Sequence, residues 1–324
     1  MHPKNTQKHP PLYREIMRHA LIASVKGWRL WLFAFVAGLL QTGGILDVAV
    51  RALQTIQQQT SSVFANTWLS FWYPASITGI GALTIGLKSL VFVLILLAAF
   101  VCSVMAQGAL VAGLEKKNSI APRASIVQLI HLAGRSFWPL ATLNILTQSL
   151  LWCSRFLLLV PLAYATRTPS FLNTLGTFAA FGVFLIAAFF ITAIHLFALQ
   201  AIIGDDLHLH DALVRALDHF RRAWLIVVEI AFLLVLFGLV VATIGIMLFT
   251  IGITPLFFFL VALALANVHA MGIALIMTLF ILCAAIIGSF TITTQYAAWG
   301  LLYERIGERT ATAKIHRAIH WLLG

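Results

Sequence analysis

Six long apolar runs alternate with polar gaps along this chain, and each run predicts one membrane-crossing helix. They cover Leu30 to Ile45, Leu83 to Leu114, Phe137 to Leu162, Phe171 to Ile203, Trp224 to Phe249 and Met271 to Tyr303. A helix rises about 1.5 Å per residue and needs about 20 apolar residues to cross the hydrocarbon core. Two further apolar stretches fit this frame less well. Pro255 to Asn267 is too short to cross, so it is expected to be an outer interfacial or re-entrant piece, broken near Asn267 and His269. In the gap after the first run, Val48, Leu53 and Ile56 predict one face of a short helix on the outer surface.

The polar gaps carry a pattern of their own. Three segments are amphipathic at helical spacing and run into a tryptophan and then an apolar run: REIMRHALIASVKGW ending at Trp28, SIVQLIHLAGRSFW ending at Trp138, and DALVRALDHFRRAW ending at Trp224. Three run exits also match and end in an acid: QGALVAGLE at Glu115, FALQAIIGD at Asp205 and YAAWGLLYE at Glu304. The pattern predicts a unit of surface helix, outward span and inward span, repeated three times. It divides the chain into a leader over 1–29, a first hairpin over 30–114, a surface helix plus second hairpin over 115–203, a surface helix plus third hairpin over 204–303, and an amphipathic tail over 304–324.

Composition strengthens the membrane reading and charge gives it a direction. The chain is 61% hydrophobic and 10% charged, against about 25% charged in soluble domains. Its cations cluster in alternate gaps. Lys4, Lys8, Arg14, Arg18, Lys26 and Arg29 precede the first run. Lys116, Lys117, Arg123 and Arg135 follow the second, Arg215, Arg221 and Arg222 follow the fourth, and Arg305, Arg309, Lys314 and Arg317 follow the sixth. Positive loops stay on the cytosolic side, so both termini are expected there, in a prokaryotic cytoplasmic membrane. The leader is too long and polar before its first apolar run for a cleavable signal. With a net charge of +11, the partners expected are anionic lipid headgroups, met by Arg215, Arg221, Arg222, Lys116 and Lys117, together with a membrane-protein partner or a second copy of the chain. No nucleic-acid motif accompanies the charge.

Few residues could carry chemistry. Gln107, Asn144, His195, Glu229 and Gln295 fall at similar depth in the cytosolic third of their spans. They suit either a polar cavity through which Glu229 and His195 exchange protons, or hydrogen bonds that hold the helices together. Arg155 and Lys88 sit near span ends, where long side chains snorkel. Asp205, Asp206, His208, His210 and Asp211 gather in one turn, but this spacing fits helix capping better than metal binding. No metal or cofactor is expected. Cys102, Cys153 and Cys283 lie in apolar runs with no redox or metal spacing. Neither a zinc-protease helix, a nucleophile elbow nor a phosphate-cradling glycine loop occurs, and the chain is not expected to be an enzyme.

The stretch GDDLHLHDALVRALDHFRRAW and the closing FTITTQYAAWGLLYERI resemble uncharacterised prokaryotic membrane proteins of the glycerophosphodiester phosphodiesterase membrane domain type. The resemblance covers the last third of the chain and otherwise only the layout. It implies a six-span membrane module, while the runs, charges and amphipathic segments themselves lead to the expectation of an all-α, polytopic membrane bundle of six transmembrane helices with amphipathic helices at the cytosolic surface. It implies no phosphodiester chemistry, which in such proteins belongs to an attached soluble domain. Two functions follow as expectations: a non-catalytic membrane module acting through lipid or protein contacts, or a small-solute permease, proton-coupled through the polar layer.

Overall fold

The computed structural model describes residues 12–41, 79–115, 125–168, 170–264 and 269–307. Every described element is helical: α1 Leu12–Lys26, α2 Trp31–Gln41, α3 Gly79–Leu114, α4 Ile126–Arg135, α5 Phe137–Arg167, α6 Phe171–Gly204, α7 Leu209–Ala264 and α8 His269–Gly307. Five of these are long and apolar enough to cross a membrane. A sixth crossing is completed if α1 and α2, which meet at 79°, are taken as one bent span. The leader before Leu12, the tail after Gly307, Lys116, Lys117 and the expected outer helix near Leu53 lie outside the described residues, as does the side chain of Lys88.

The three amphipathic segments are helices, and each ends in a backbone break at or just before its tryptophan. Gly27 (φ −88°, ψ 34°) separates α1 from a 3-10 turn over Trp28–Leu30 that leads into α2. Ser136 (φ −101°, ψ 18°) separates α4 from α5. Ala223 (φ −133°, ψ 24°) interrupts α7 immediately before Trp224. Trp28, Trp138 and Trp224 are all exposed. A rim of exposed indoles at helix elbows is what an amphipathic ring needs to sit at headgroup level. The start of α4 is fixed by a capping box, in which the Ser125 hydroxyl accepts from the Gln128 amide while the Gln128 side chain accepts from the Ser125 amide.

Each amphipathic segment docks through a buried row that includes alanine beside a larger apolar residue. Ile16, Ala20 and Ser24 form the buried row of α1. Leu129 and Ala133 form that of α4, and Ala212, Ala216 and Phe220 that of the first turns of α7. An i, i+4 row is the helix face that a neighbour meets, and alanine lets the backbones approach closely. α1 packs on α8, and α4 packs on α3. The start of α7 packs on α6, where the Phe220 ring lies 5.1 Å from Phe190.

The long helices close into a ring. α2 packs on α3, α3 on α5, α5 on α6, α6 on α7, α7 on α8, and α8 back on α2. Within it, α3, α6 and α8 each touch the other two. Buried apolar side chains gather at one end of this arrangement, around the last turns of α3, α6 and α8 and the first turns of α5. We refer to it as the packed end. At the other end the helices are apolar and exposed to their surroundings, with Leu157, Phe171, Phe178 and Met247 all exposed.

One expectation needs correcting. Pro255 does not start a separate piece; α7 runs through it without a break as far as Ala264. Proline removes one backbone donor and crowds the preceding turn, but apolar surroundings offer the chain no water to bond with instead. The hydroxyls of Thr250 and Thr254 donate to carbonyls one turn earlier, at 2.8 and 2.6 Å, so their own polar groups are satisfied within the helix. The expected break at Asn267 lies outside the described residues, and His269 is helical, the first residue of α8.

Candidate functional site

Two polar assemblies occupy the packed end. The deeper one is built from α3, α5, α6 and α8. The Gln107 amide nitrogen donates to the Tyr296 hydroxyl at 2.8 Å and to His195 Nε2 at 3.1 Å. Its oxygen accepts from Asn144 Nδ2 at 2.7 Å, and Asn144 also donates to the Leu140 carbonyl at 2.9 Å. Because the amide donates, His195 Nε2 accepts. The ring proton then lies on Nδ1, 2.9 Å from Thr147 Oγ1. All five side chains are buried and none carries a formal charge in this arrangement. A central amide with both donors and its acceptor engaged is the arrangement that buried polar groups require.

Three of the five sequence candidates, Gln107, Asn144 and His195, therefore meet. The other two do not join them. Glu229, on α7, accepts from the Tyr13 hydroxyl of α1. It serves to pin α1, as does the ion pair of Glu15 with Arg305 at 2.6 Å. Gln295 is half-buried on α8 beside Tyr296 and takes no part in the bonds described above. Thr147 and Tyr296 escaped the sequence reading. Thr147 was detectable in principle, since it lies three residues after Asn144 on the same helical face. Tyr296 occupies in YAAWGLLYE the place that Gln107 holds in QGALVAGLE, a signal that the aromatic-rich exit concealed.

The second assembly lies at the mouth of the packed end, where α6 turns into α7. Asp206 takes a left-handed backbone (φ 53°), which an acid tolerates better than most residues, and the turn places Asp205 toward α8. The Asp205 carboxylate accepts from the Tyr303 hydroxyl at 2.6 Å and pairs with Arg215 at 3.4 Å. The His219 ring stacks on Tyr303 with centroids 4.8 Å apart, and the Arg215 guanidinium lies 6.0 Å from the centre of the same tyrosine ring. These groups border a hollow of about 450 Å³ that reaches inward to Gln200 and Tyr296. Glu115, Asp205 and Glu304 all line it. Gly204 lets the Glu115 side chain lie close to the backbone, since a Cβ there would be 3.1 Å from Glu115 Oε1.

The cationic candidates divide in the structure. Arg215 faces this hollow. Arg222 is exposed and pairs with Asp218 one turn earlier at 2.7 Å. Arg221 is exposed. Arg155 is half-buried, with its guanidinium 5.2 Å from the centre of the Trp152 ring. In the acidic turn, Asp211 stands in the first turn of α7, where the helix dipole favours an anion. Among the described residues, no group of three or more His, Cys, Asp or Glu side chains is placed to hold a metal ion. No protein-family model matches the chain, and no curated protein or solved structure matches it either.

Proposed function

We propose that the chain is a non-catalytic, multi-pass module of a prokaryotic cytoplasmic membrane, with its packed end in the cytosolic leaflet, acting through lipid or protein contacts. The observation that carries this reading is how the two kinds of polar group are disposed. The deep network spends its polar atoms on its own members, so it serves cohesion, at about 1 kcal/mol per bond. The exposed groups at the same end, Arg221, Arg222 and the three indoles, are those suited to headgroups.

We read the architecture as three copies of one unit, and the ring supports this. In each unit the surface helix packs on the inward helix of the preceding unit: α1 on α8, α4 on α3, and the start of α7 on α6. Each inward helix also packs on the next outward one: α3 on α5, α6 on α7, and α8 on α2. In the third unit the α6–α7 contact serves both rules, since the surface and spanning parts of α7 form one helix. The resemblance of the closing stretch to the glycerophosphodiester phosphodiesterase membrane domain would imply a module of the same kind. The permease reading has less support, because Glu229 stands apart from His195.

The test is anionic-lipid retention. Full-length protein is reconstituted in nanodiscs of mixed phosphatidylglycerol and phosphatidylcholine, and co-purifying lipid is counted by native mass spectrometry. A cation near the surface contributes about 1 kcal/mol, so the double variant Arg221→Glu, Arg222→Glu is expected to retain phosphatidylglycerol at least about tenfold more weakly. Unchanged retention would overturn the lipid-contact reading.

A further inference from the structure

The surface part of α7, from Leu209 to Arg222, meets the bundle on two sides and through one joint. On one side Ala212, Ala216 and Phe220 hold it on α6. The joint is Ala223, where the backbone leaves helical angles just before Trp224. The other side rests on α8, and His219 makes that contact. Its ring lies on Tyr303 with centroids 4.8 Å apart and planes within 13° of parallel. The other two surface helices also carry a histidine, but His19 and His131 are exposed, whereas His219 is buried.

This seat suits a neutral ring. His219 Nδ1 is 3.0 Å from the Arg215 carbonyl, which only accepts, so Nδ1 carries the proton. Nε2 is buried and has no hydrogen-bond partner among the described residues. Protonation there would create a buried donor without an acceptor, on a ring already withdrawn from water. The charged and titratable groups around the ring are Arg215, Asp218 and Arg222 of α7 itself, Asp205 in the turn after α6, Tyr303 and Glu304 of α8, and Glu115 at the end of α3. A tyrosine face attracts cations, but this one already has the Arg215 guanidinium 6.0 Å from its centre. Arg215 in turn pairs with Asp205, which accepts from the Tyr303 hydroxyl. A second positive charge on the ring would therefore push on the group that ties this turn together. Burial is the main influence on His219 and lowers its pKa below the ordinary histidine value. The Arg215 carbonyl and the Asp218 charge oppose the shift, and the Arg215 and Arg222 charges add to it.

We propose that His219 makes the surface part of α7 a pH-sensitive latch: the neutral ring holds the segment against α8, and protonation releases that side while the alanine row stays on α6. The segment then turns about Ala223, the joint already present in its backbone. A histidine that resists protonation only in the docked state contributes docking stability above its undocked value, about 6.5. That contribution is lost as pH falls through the lowered docked value, so the latch opens on acidification. The exposed Arg221 and Arg222 ride on the segment and change posture with it. The latch is independent of what those arginines contact.

The test is hydrogen–deuterium exchange of the full-length protein in detergent, read by mass spectrometry from about pH 7.5 down to about pH 5 and corrected for the intrinsic pH dependence of amide exchange. Amides of 209–222 are expected to exchange about tenfold faster at the acid end, while those of α4, whose histidine is exposed, keep their corrected rate. His219→Phe keeps a ring against Tyr303 and cannot be protonated, so slow exchange at both ends of the range is expected. His219→Gln is neutral and cannot stack, so fast exchange at both ends is expected, again without a step. The proposal is overturned if the parent shows no acid step in 209–222, if α4 shows the same step, or if the step survives in whichever histidine variant folds.

Discussion

At the packed end, Ala20, Ala109, Ala198 and Ala216 have no exposed surface, whereas at the opposite end Leu157, Val160, Phe171 and Phe178 are each at least 66% exposed. Both ends are apolar and helical. They differ in what apolarity can do for them. Lipid tails are as apolar as leucine, so a membrane helix gains little by covering a leucine with another leucine. Association needs close backbone approach or hydrogen bonds between helices. The packed end has both, in its alanine rows and its Gln107 network. The described helices at the open end carry larger, exposed side chains and still touch, with the Thr177 hydroxyl donating to the Pro161 carbonyl at 3.4 Å and Ile287 seated against Gly245.

This contrast can be tested at three strengths. The largest effect is expected from Gln107→Leu, which removes the hub of the deep network and leaves Asn144, His195 and Tyr296 each short of a partner. Buried unsatisfied groups cost about 1–3 kcal/mol apiece, with some relaxation, so a loss of about 3 kcal/mol is expected in equilibrium unfolding in detergent. A middle effect is expected from Tyr303→Phe, which removes a single half-buried bond to Asp205 and should cost about 1 kcal/mol by the same measurement. The smallest is expected from Val183→Ala on the exposed stretch of α6, with a change within about 0.5 kcal/mol. If Val183→Ala costs as much as Gln107→Leu, the open end is packed against something in the folded protein, and the contrast between the ends fails.

Much of this fold was legible in the sequence, for a simple physical reason. The insertion of a helix depends on summed hydropathy, which composition reports directly. The predicted run ends at Leu114, Phe137 and Phe171 coincide with helix ends, and the three segments before Trp28, Trp138 and Trp224 are helices. Pro255 was misread because a helix breaker in water is tolerated where no water competes for the backbone. The candidate site was legible only in depth. Helical rise placed Gln107, Asn144, His195 and Glu229 in one layer, but rise carries no information about which neighbour each faces. Packing put three of them together and turned Glu229 toward Tyr13. His219 was hidden for the same reason, as one of several polar residues in an amphipathic helix. Its stacking on Tyr303 depends on contact between elements about eighty residues apart in sequence, which no local pattern encodes.

The alanine rows have a consequence for how this chain can vary. Ala20 and Ala216 have no exposed surface, so a larger side chain there would press on the neighbouring helix. Random mutagenesis under selection for folding should therefore accept almost any greasy residue at the open end, and at these two positions little beyond glycine or serine. One end of the molecule is constrained by shape, the other by oiliness alone.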